Sequence, residues 1–166
     1  MAVAAEHGLS QVSFGRVGRH LGVSDRTVVY YFPTKDDLVG EVLMVMGARL
    51  QEALGDAFSS PVDGHLELAR AAWPVLADDA VAPTFALFFE ATGLAAAGRE
   101  PYRTLVPVLV DGWVEWAAGF VRGRAARRRA EAEAAVALLD GLLLMRQLIG
   151  SGPADRAARR LGVTGR

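Results

Sequence analysis

The chain has 166 residues, of which 52% are hydrophobic, and this is sufficient for one or two domains with a packed apolar core. It has no cysteine, which excludes disulfides and thiolate metal sites and is typical of a reducing compartment, so we expect a cytoplasmic protein. A formal net charge of −1 does not by itself indicate a nucleic-acid partner. We see neither a basic leader nor an uninterrupted apolar run of about 18 residues, and we expect no export and no membrane partner.

Apolar periodicity and turn residues predict helices along the whole chain, without the alternating pattern that is typical of strands. We therefore expect an all-α fold. The predicted helices cover residues 2–7, 13–20, 24–31, 34–54, 62–78, 81–97, 101–123, 127–150 and 154–162. Residues 55–64, rich in Gly, Ser, Asp and Pro, have the composition of a linker.

The stretch GRVGRHLGVSDRTVVYYFPTKDDL, residues 15–38, predicts two short helices joined by a tight turn and followed by a third. Ser13 is a suitable N-cap for the first helix, Gly22 ends it, and Ser24 can cap the second. The apolar face of the first helix is predicted to consist of Phe14, Val17 and Leu21. Two helices joined in this way form a helix-turn-helix, whose second helix can enter the DNA major groove.

The second of these helices has two different faces. Val28 and Phe32 are predicted to be buried, while Arg26, Val29 and Tyr30 share another face at positions i, i+3 and i+4. The second face is therefore the candidate DNA-reading surface.

The third helix begins after Pro33, where Thr34 and Asp37 have the spacing of a capping box. With this helix included, the stretch SFGRVGRHLGVSDRTVVYYFPTKDDLVGEVL resembles the DNA-binding signature of the TetR family of bacterial transcriptional regulators, over about residues 6–43. The residues at the family's spacing are Gly22, Val23, Ser24, Thr27, Tyr30, Phe32, Pro33 and Lys35.

This resemblance implies a three-helix helix-turn-helix domain at residues 1–43 and a helical ligand-binding and dimerisation domain at residues 44–166. It further implies a homodimer that binds a palindromic double-stranded operator and is released by a small apolar effector. Most regulators of this kind are repressors. Only MAVAAEH stands where the family has a full first helix, so we expect that helix to be truncated and residues upstream to be missing.

Six residues are candidate DNA contacts: Ser13, Asp25, Arg26, Thr27, Tyr30 and Lys35. Arg26 can read guanine with its guanidinium fork, whereas Asp25 either accepts from a cytosine amino group or only stabilises the helix start. Lys35 is the only lysine of the chain and opens a helix, a position that favours phosphate. The other three offer hydroxyl groups to phosphate oxygens. Tyr31 is expected to pack against the protein.

Aromatic residues concentrate in the C-terminal part, and the resemblance implies that some of them line the effector pocket. The candidate ligand-binding residues are His65, Trp73, Phe85, Phe88, Phe89, Tyr102, Trp113 and Trp116. Aromatic stripes are more often simply core. His65 and Glu90 could orient a polar group of a ligand, but an exposed position or a structural hydrogen bond explains each of them better.

Residues 132–149 are apolar nearly all round, so a helix there needs burial on more than one side. The chain's own core accounts for one side, and a partner subunit in a four-helix bundle accounts for another. The candidate dimer contacts are Leu139, Leu142, Leu143 and Ile149. The preceding arginine-rich segment RGRAARRR is expected to be a solvated basic turn rather than a nucleic-acid site.

The three histidines, His7, His20 and His65, have no metal-ligand spacing, and no motif of a hydrolase or phosphate-binding loop occurs. We expect no enzymatic activity, no cofactor and no metal. The hypotheses are a ligand-responsive transcriptional regulator, a helical small-molecule-binding dimer that no longer binds DNA and, distantly, a cofactor-free enzyme on a helical bundle.

Overall fold

The computed structural model describes residues 1–58 and 60–165, and this part of the chain contains nine α-helices. They are α1 (Ala2–His7), α2 (Phe14–Leu21), α3 (Asp25–Tyr31), α4 (Lys35–Gly55), α5 (His65–Leu76), α6 (Ala82–Ala96), α7 (Tyr102–Ala118), α8 (Ala125–Ile149) and α9 (Ser151–Arg160). Short 3₁₀ turns occur at Leu9–Gln11, Asp56–Phe58 and Asp79–Val81. The all-α prediction is confirmed, and every predicted helix end but one lies within three residues of the observed end.

The helices form two compact units, each made of two separate segments. The first unit combines Met1–Arg49 with Pro83–Leu109, and the second combines Leu50–Ala82 with the chain from Val110 onward. These units are defined by compactness, whereas the resemblance implies a boundary between functional domains at residues 43 and 44. That domain boundary stays a prediction.

The core of the first unit holds the N-terminal helices together. Its largest fully buried side chains are Leu9, Val12 and Val39, each at most 1% exposed. Further buried residues of α4 are Leu38, Val42, Leu43 and Met46. Because each fully buried aliphatic side chain contributes roughly 1.5–3 kcal/mol, this set is the main support of the short helices α1, α2 and α3.

In the second unit, α8 packs against α5 and α9. Leu139, Leu142 and Leu143 lie on the packed face of α8 and are at most 8% exposed. These three were predicted as dimer contacts, but α5 and α9 already cover this side of α8, so they belong to the core of the single chain. The fourth predicted contact, Ile149, is 60% exposed.

The segment predicted as a linker is held against α7, apart from Ser59, which lies outside the described residues. The ring of Phe58 is buried and contacts Trp116 and Phe120, with ring centroids 5.5 and 4.7 Å away. The Val62 amide donates to the Phe120 carbonyl, and the Arg122 amide donates to the Val62 carbonyl, both at 2.8 Å. The linker prediction was therefore wrong for these residues, since aromatic burial and a backbone bridge fix the segment.

The same bridge explains the one misplaced helix end. Helix α7 was predicted to reach residue 123, but it ends at Ala118. The backbone of Val121 forms a parallel bridge with Val62 instead of continuing the helix.

The arginine-rich segment, residues 122–129, is exposed over most of its length, as predicted, and several of its arginines have acidic or carbonyl partners. Arg122 bonds the Asp63 carboxylate at 3.1 Å, and Arg127 donates to the Asp63 carbonyl at 2.7 Å. Arg129 forms ion pairs with Asp111, Glu115 and Glu133. Exposed ion pairs of this kind stabilise a fold only slightly. They do, however, neutralise arginine charges that would otherwise be available to bind the phosphates of a nucleic acid.

In the described part of the chain, no single helix has the length and apolar character required to cross a membrane. By length and composition alone, one bent pair, His65–Leu76 with Asp79–Ala96, meets that requirement together.

Asp140 is a half-buried carboxylate within the apolar stretch of α8. Burial raises the pKa of Asp140 to about 6. The pKa of an exposed aspartate is about 3.9, so between these two values the folded state binds a proton that the unfolded state does not. Above pH 6 the buried charge therefore lowers the free energy of unfolding.

We predict that Asp140→Asn raises the free energy of unfolding by about 1–3 kcal/mol near pH 7.5, because it removes a desolvated charge. The gain should shrink as the pH falls from about 6 to about 4, where Asp140 is protonated in the folded state. Urea unfolding of both proteins near pH 7.5 and near pH 4 measures the gain in the free energy of unfolding at each pH. Glu52→Gln, which removes an exposed carboxylate of α4, is the control. An equal gain at both pH values would contradict the assignment to buried charge.

Candidate DNA-binding site

Helices α2 and α3 approach each other closely at two glycines. A Cβ atom on Gly18 would lie 2.9 Å from the Val23 carbonyl oxygen, which is too close for any side chain there. The carboxylate of Asp25 lies against Gly15, 3.3 Å from the place of its Cβ. Gly22 ends α2 in the left-handed conformation, φ 68°, as predicted. The predicted helix-turn-helix is thus present, and Asp25 faces α2 at the junction.

Helix α3 is held at its start and on one side. The Ser24 hydroxyl accepts from the Thr27 amide at 3.2 Å and bonds the Thr27 hydroxyl at 2.9 Å, so the predicted N-cap is confirmed. Val28 is 4% exposed and Phe32 is half-buried. These two side chains anchor the helix to the first unit, as the sequence predicted.

The rest of α3 is exposed. Asp25, Arg26 and Thr27 are exposed, and Tyr30 is 80% exposed. Tyr31, which was expected to pack, is 70% exposed, because Val28 and Phe32 already occupy the side of α3 that faces the core. A bare helix face with a guanidinium, hydroxyls and an aromatic ring can contact base edges and phosphates.

The starts of α2 and α4 carry the remaining predicted contacts. Ser13 is exposed, and its hydroxyl accepts from the Arg16 amide at 3.4 Å. Thr34 and Asp37 form the predicted capping box: the Asp37 carboxylate accepts from the Thr34 amide at 2.9 Å, and the Thr34 hydroxyl accepts from the Asp37 amide at 3.1 Å. Lys35 is exposed in the first turn of α4. Two helix N-termini and one ammonium group can thus face phosphates.

Beside α2, an open cleft of about 330 Å³ is lined by α1 and α2. Its walls consist of Val3, Glu6, His7, Arg16, Arg19 and His20. The two arginines add positive charge to this side of α2.

Glu90 of α6 contacts the N-terminal part of the same unit, which the sequence did not predict. Its carboxylate accepts from the Leu9 amide at 2.8 Å, from the Ser10 amide at 3.0 Å and from the Ser10 hydroxyl at 2.9 Å. Burial raises the pKa of Glu90, but the hydrogen bonds from Ser10 and Leu9 outweigh burial and hold this pKa below its usual value. The carboxylate is therefore charged at neutral pH.

The predicted ligand residues of the first unit lie on α6 and α7. Phe85 and Tyr102 are buried, whereas Phe88 and Phe89 are half-buried. Burial, followed by the nearby charges of Glu90 and Asp36, raises the pKa of Tyr102, which therefore stays neutral. Of these four, only Phe88 and Phe89 retain apolar surface for a ligand.

The predicted ligand residues of the second unit are largely engaged within it. Trp73 is 4% exposed. Trp116 packs edge-on against Trp113, with centroids 5.3 Å apart, and belongs to the cluster with Phe58 and Phe120. The Nδ1 atom of His65 is 2.7 Å from the Glu131 carboxylate, so its ring already has a partner. Within residues 1–58 and 60–165, no group of three or more His, Asp or Glu side chains is arranged to hold a metal ion.

Two solved structures share this fold. A protein from Rhodococcus sp. described as a TetR-family transcriptional regulator superposes with a TM-score of 0.75 at 17% identity, over 97% of this chain and 88% of the other. A TetR transcriptional regulator from Legionella pneumophila gives a TM-score of 0.64 at 17% identity, over 96% and 89% of the two chains. At such identities the likeness shows the fold alone.

No curated protein matches the sequence at a significant level. Residues 1–42, which contain α1, α2, α3 and the first turns of α4, match the family model of bacterial regulatory proteins, tetR family. The matched region carries the helix-turn-helix with its caps, close glycines and exposed α3 face. Residues 1–42 are therefore similar to the N-terminal region of the TetR family, whose members are DNA-binding transcriptional regulators.

Proposed function

We propose that the protein is a cytoplasmic repressor that binds a palindromic operator as a homodimer and is released by a small apolar effector. The observation that carries the DNA-binding part is the division of α3 into two sides. Val28 fixes the helix to the core, while Arg26 and Tyr30 on the other side are exposed. A helix supported in this way can enter a major groove without losing its contacts to the protein.

The candidate contacts divide into base reading and phosphate binding. Arg26 lies in the first turn of α3, the part of a recognition helix that meets base edges, and its guanidinium fork matches the two acceptors of guanine. Lys35 and Ser13 stand at helix starts and serve phosphates, with Thr27 and Tyr30 as hydroxyl donors. The Asp25 carboxylate lies against Gly15 and Gly18, so it serves the junction with α2 rather than base reading.

Selection from a pool of random-sequence DNA duplexes tests this function directly. The protein should recover duplexes that share an inverted repeat, with half-sites spaced by a multiple of the helical repeat. Recovery of no sequence would support the alternative, a small-molecule-binding dimer that no longer binds DNA.

Arg26→Ala should weaken binding to the selected duplex by about 1–3 kcal/mol and relax the preference at one base position of each half-site. Lys35→Ala should weaken all sequences alike and reduce the salt dependence by roughly one phosphate contact per subunit. Titrations at several salt concentrations, on selected and random duplexes, separate the two effects.

Arg99→Ala is the matched control, because it removes one exposed arginine of the same unit outside the helix-turn-helix. If Arg26→Ala behaves like this control in both affinity and base preference, the proposed orientation of α3 is wrong.

The dimer proposal rests on the side of α8 that the single chain leaves uncovered. Leu144 and Leu148 are 40% and 73% exposed. With smaller exposed residues they form a stripe at alternating spacings of three and four: Ala130, Ala134, Ala137, Gly141, Leu144 and Leu148. This spacing keeps one helix face towards a partner, and small residues allow a close approach of two helices. We therefore assign the stripe, with neighbouring Ile149, to the interface between two copies.

Leu148→Asp should convert the dimer to a folded monomer, because it places a charge in the interface without touching the core of the chain. Leu142→Asp should instead unfold the protein, since Leu142 is 3% exposed. Sedimentation velocity and circular dichroism distinguish the two results. A Leu148→Asp protein that remains dimeric would remove this interface.

The effector proposal rests on the partly exposed aromatic rings of α6 and α7. Phe88 and Phe89 are half-buried on α6, the helix that also carries Glu90. In the second unit, Trp113 keeps a partly exposed ring. Aromatic surface with few polar groups suits a mainly apolar ligand.

We predict that an apolar compound that binds the protein also lowers its affinity for the operator, by about 5- to 150-fold if the coupling is about 1–3 kcal/mol. The operator must then lower the affinity for the compound by the same factor. Tryptophan fluorescence titrations with and without the selected duplex measure both. A compound that binds with the same affinity in the presence and absence of the duplex is not an effector, and this result would contradict effector control.

A further inference from the structure

The 3₁₀ turn Leu9–Gln11 begins without any cap from its own neighbourhood. Its N-cap residue is Gly8, which has no side chain, and the turn would leave the amides of Leu9 and Ser10 unpaired. The carboxylate of Glu90 accepts from both, although it lies about 80 residues further along the chain. Glu90 thus caps the turn from a different helix.

Gly8 makes this approach possible. It has φ 85°, a conformation that side chains disfavour, and a Cβ there would lie 3.0 Å from one Glu90 carboxylate oxygen. Leu9 has no exposed surface, and Val12 is 1% exposed, so the turn is also fixed from the core side. The carboxylate and the core together leave the turn little freedom.

The turn leads directly into the DNA-binding helices. Only Gln11 and Val12 separate Ser10, which Glu90 holds, from Ser13, the N-cap of α2. The position of the turn therefore determines the position of the N-terminal end of α2 within the first unit.

We propose that Glu90 is a positioning residue for operator binding, which holds the turn Leu9–Gln11 so that Ser13 and the start of α2 meet the DNA backbone in one fixed geometry. This inference rests on the DNA-binding function proposed above. The same helix carries Phe88 and Phe89, so the Glu90 carboxylate links the helix of these two rings to the turn before α2.

Simple electrostatics predicts the opposite effect of removing Glu90. Glu90→Gln deletes a negative charge from a unit that binds a polyanion, so on charge alone the variant should bind all DNA more tightly. Positioning predicts weaker binding to the operator only, since a smaller fraction of the molecules has the competent geometry and the apparent Kd rises by the inverse of that fraction. The sign of the change therefore separates the two explanations.

The experiment compares wild type and Glu90→Gln on the duplex that the wild-type protein selects and on a random duplex. We expect about tenfold weaker binding to the selected duplex, which corresponds to a competent fraction of about one in ten, and no loss on the random duplex. Hydrogen exchange at the Leu9 and Ser10 amides should be faster in the variant. Binding is measured well below the melting temperature of each protein.

Glu131→Gln is the matched control. The Glu131 carboxylate accepts from the His65 amide at 2.8 Å and so caps α5 in the second unit in a similar way. This variant should lose stability without any change in operator affinity. If Glu90→Gln lowers only the melting temperature and binds the selected duplex as tightly as wild type, the positioning role is overturned while the proposed function stands.

A wild-type protein that selects no duplex overturns the proposed function and this inference together. Should Glu90→Gln be unfolded at the assay temperature, Glu90→Asp takes its place, because it keeps the charge and shortens the reach by one methylene. The same loss on the selected duplex supports positioning, and unchanged affinity overturns it.

Discussion

Helix α3 has only seven residues, about two turns, and a helix of that length is not stable in water by itself. Its conformation depends on close contact with α2, where Gly18 leaves no room for a side chain beside the Val23 carbonyl. This contact, with Val28 in the core and Ser24 at the N-cap, supports the helix from one side. The other side can then remain exposed, and it is the surface that we propose for DNA recognition.

Carboxylates from distant helices cap backbone amides in both units. Glu90 serves the turn Leu9–Gln11, and Glu131 serves the start of α5 at His65. Both receiving segments begin after a glycine, Gly8 or Gly64, which offers no side-chain cap. Hydrogen bonds to a charged acceptor are stronger than those between neutral groups, and they leave no donor unpaired at a partly buried site. Each cap thereby ties a local turn to the tertiary structure of its unit.

Helix α8 has a buried side and an uncovered side that differ in composition. Leu142 and Leu143 face α5 and α9, whereas Leu148 lies on the uncovered side with Gly141 and the alanines of the stripe. The core side uses large side chains that fill space, and the uncovered side uses mainly small ones that permit close approach. Asp140 is half-buried, and its charged carboxylate lowers the free energy of unfolding because burial removes water from the charge.

The sequence by itself determined the helices, their caps at Ser13, Ser24 and Thr34, and the helix-turn-helix with the exposed face of α3. These features depend on hydrogen bonds and side-chain periodicity within three or four residues, so they can be read from a short stretch. The lone Glu90 in an apolar helix was visible too, but its partners lie about 80 residues away. Only the tertiary structure decided which leucines of α8 are core and that Phe58 holds the supposed linker, because burial depends on which distant helices pack together.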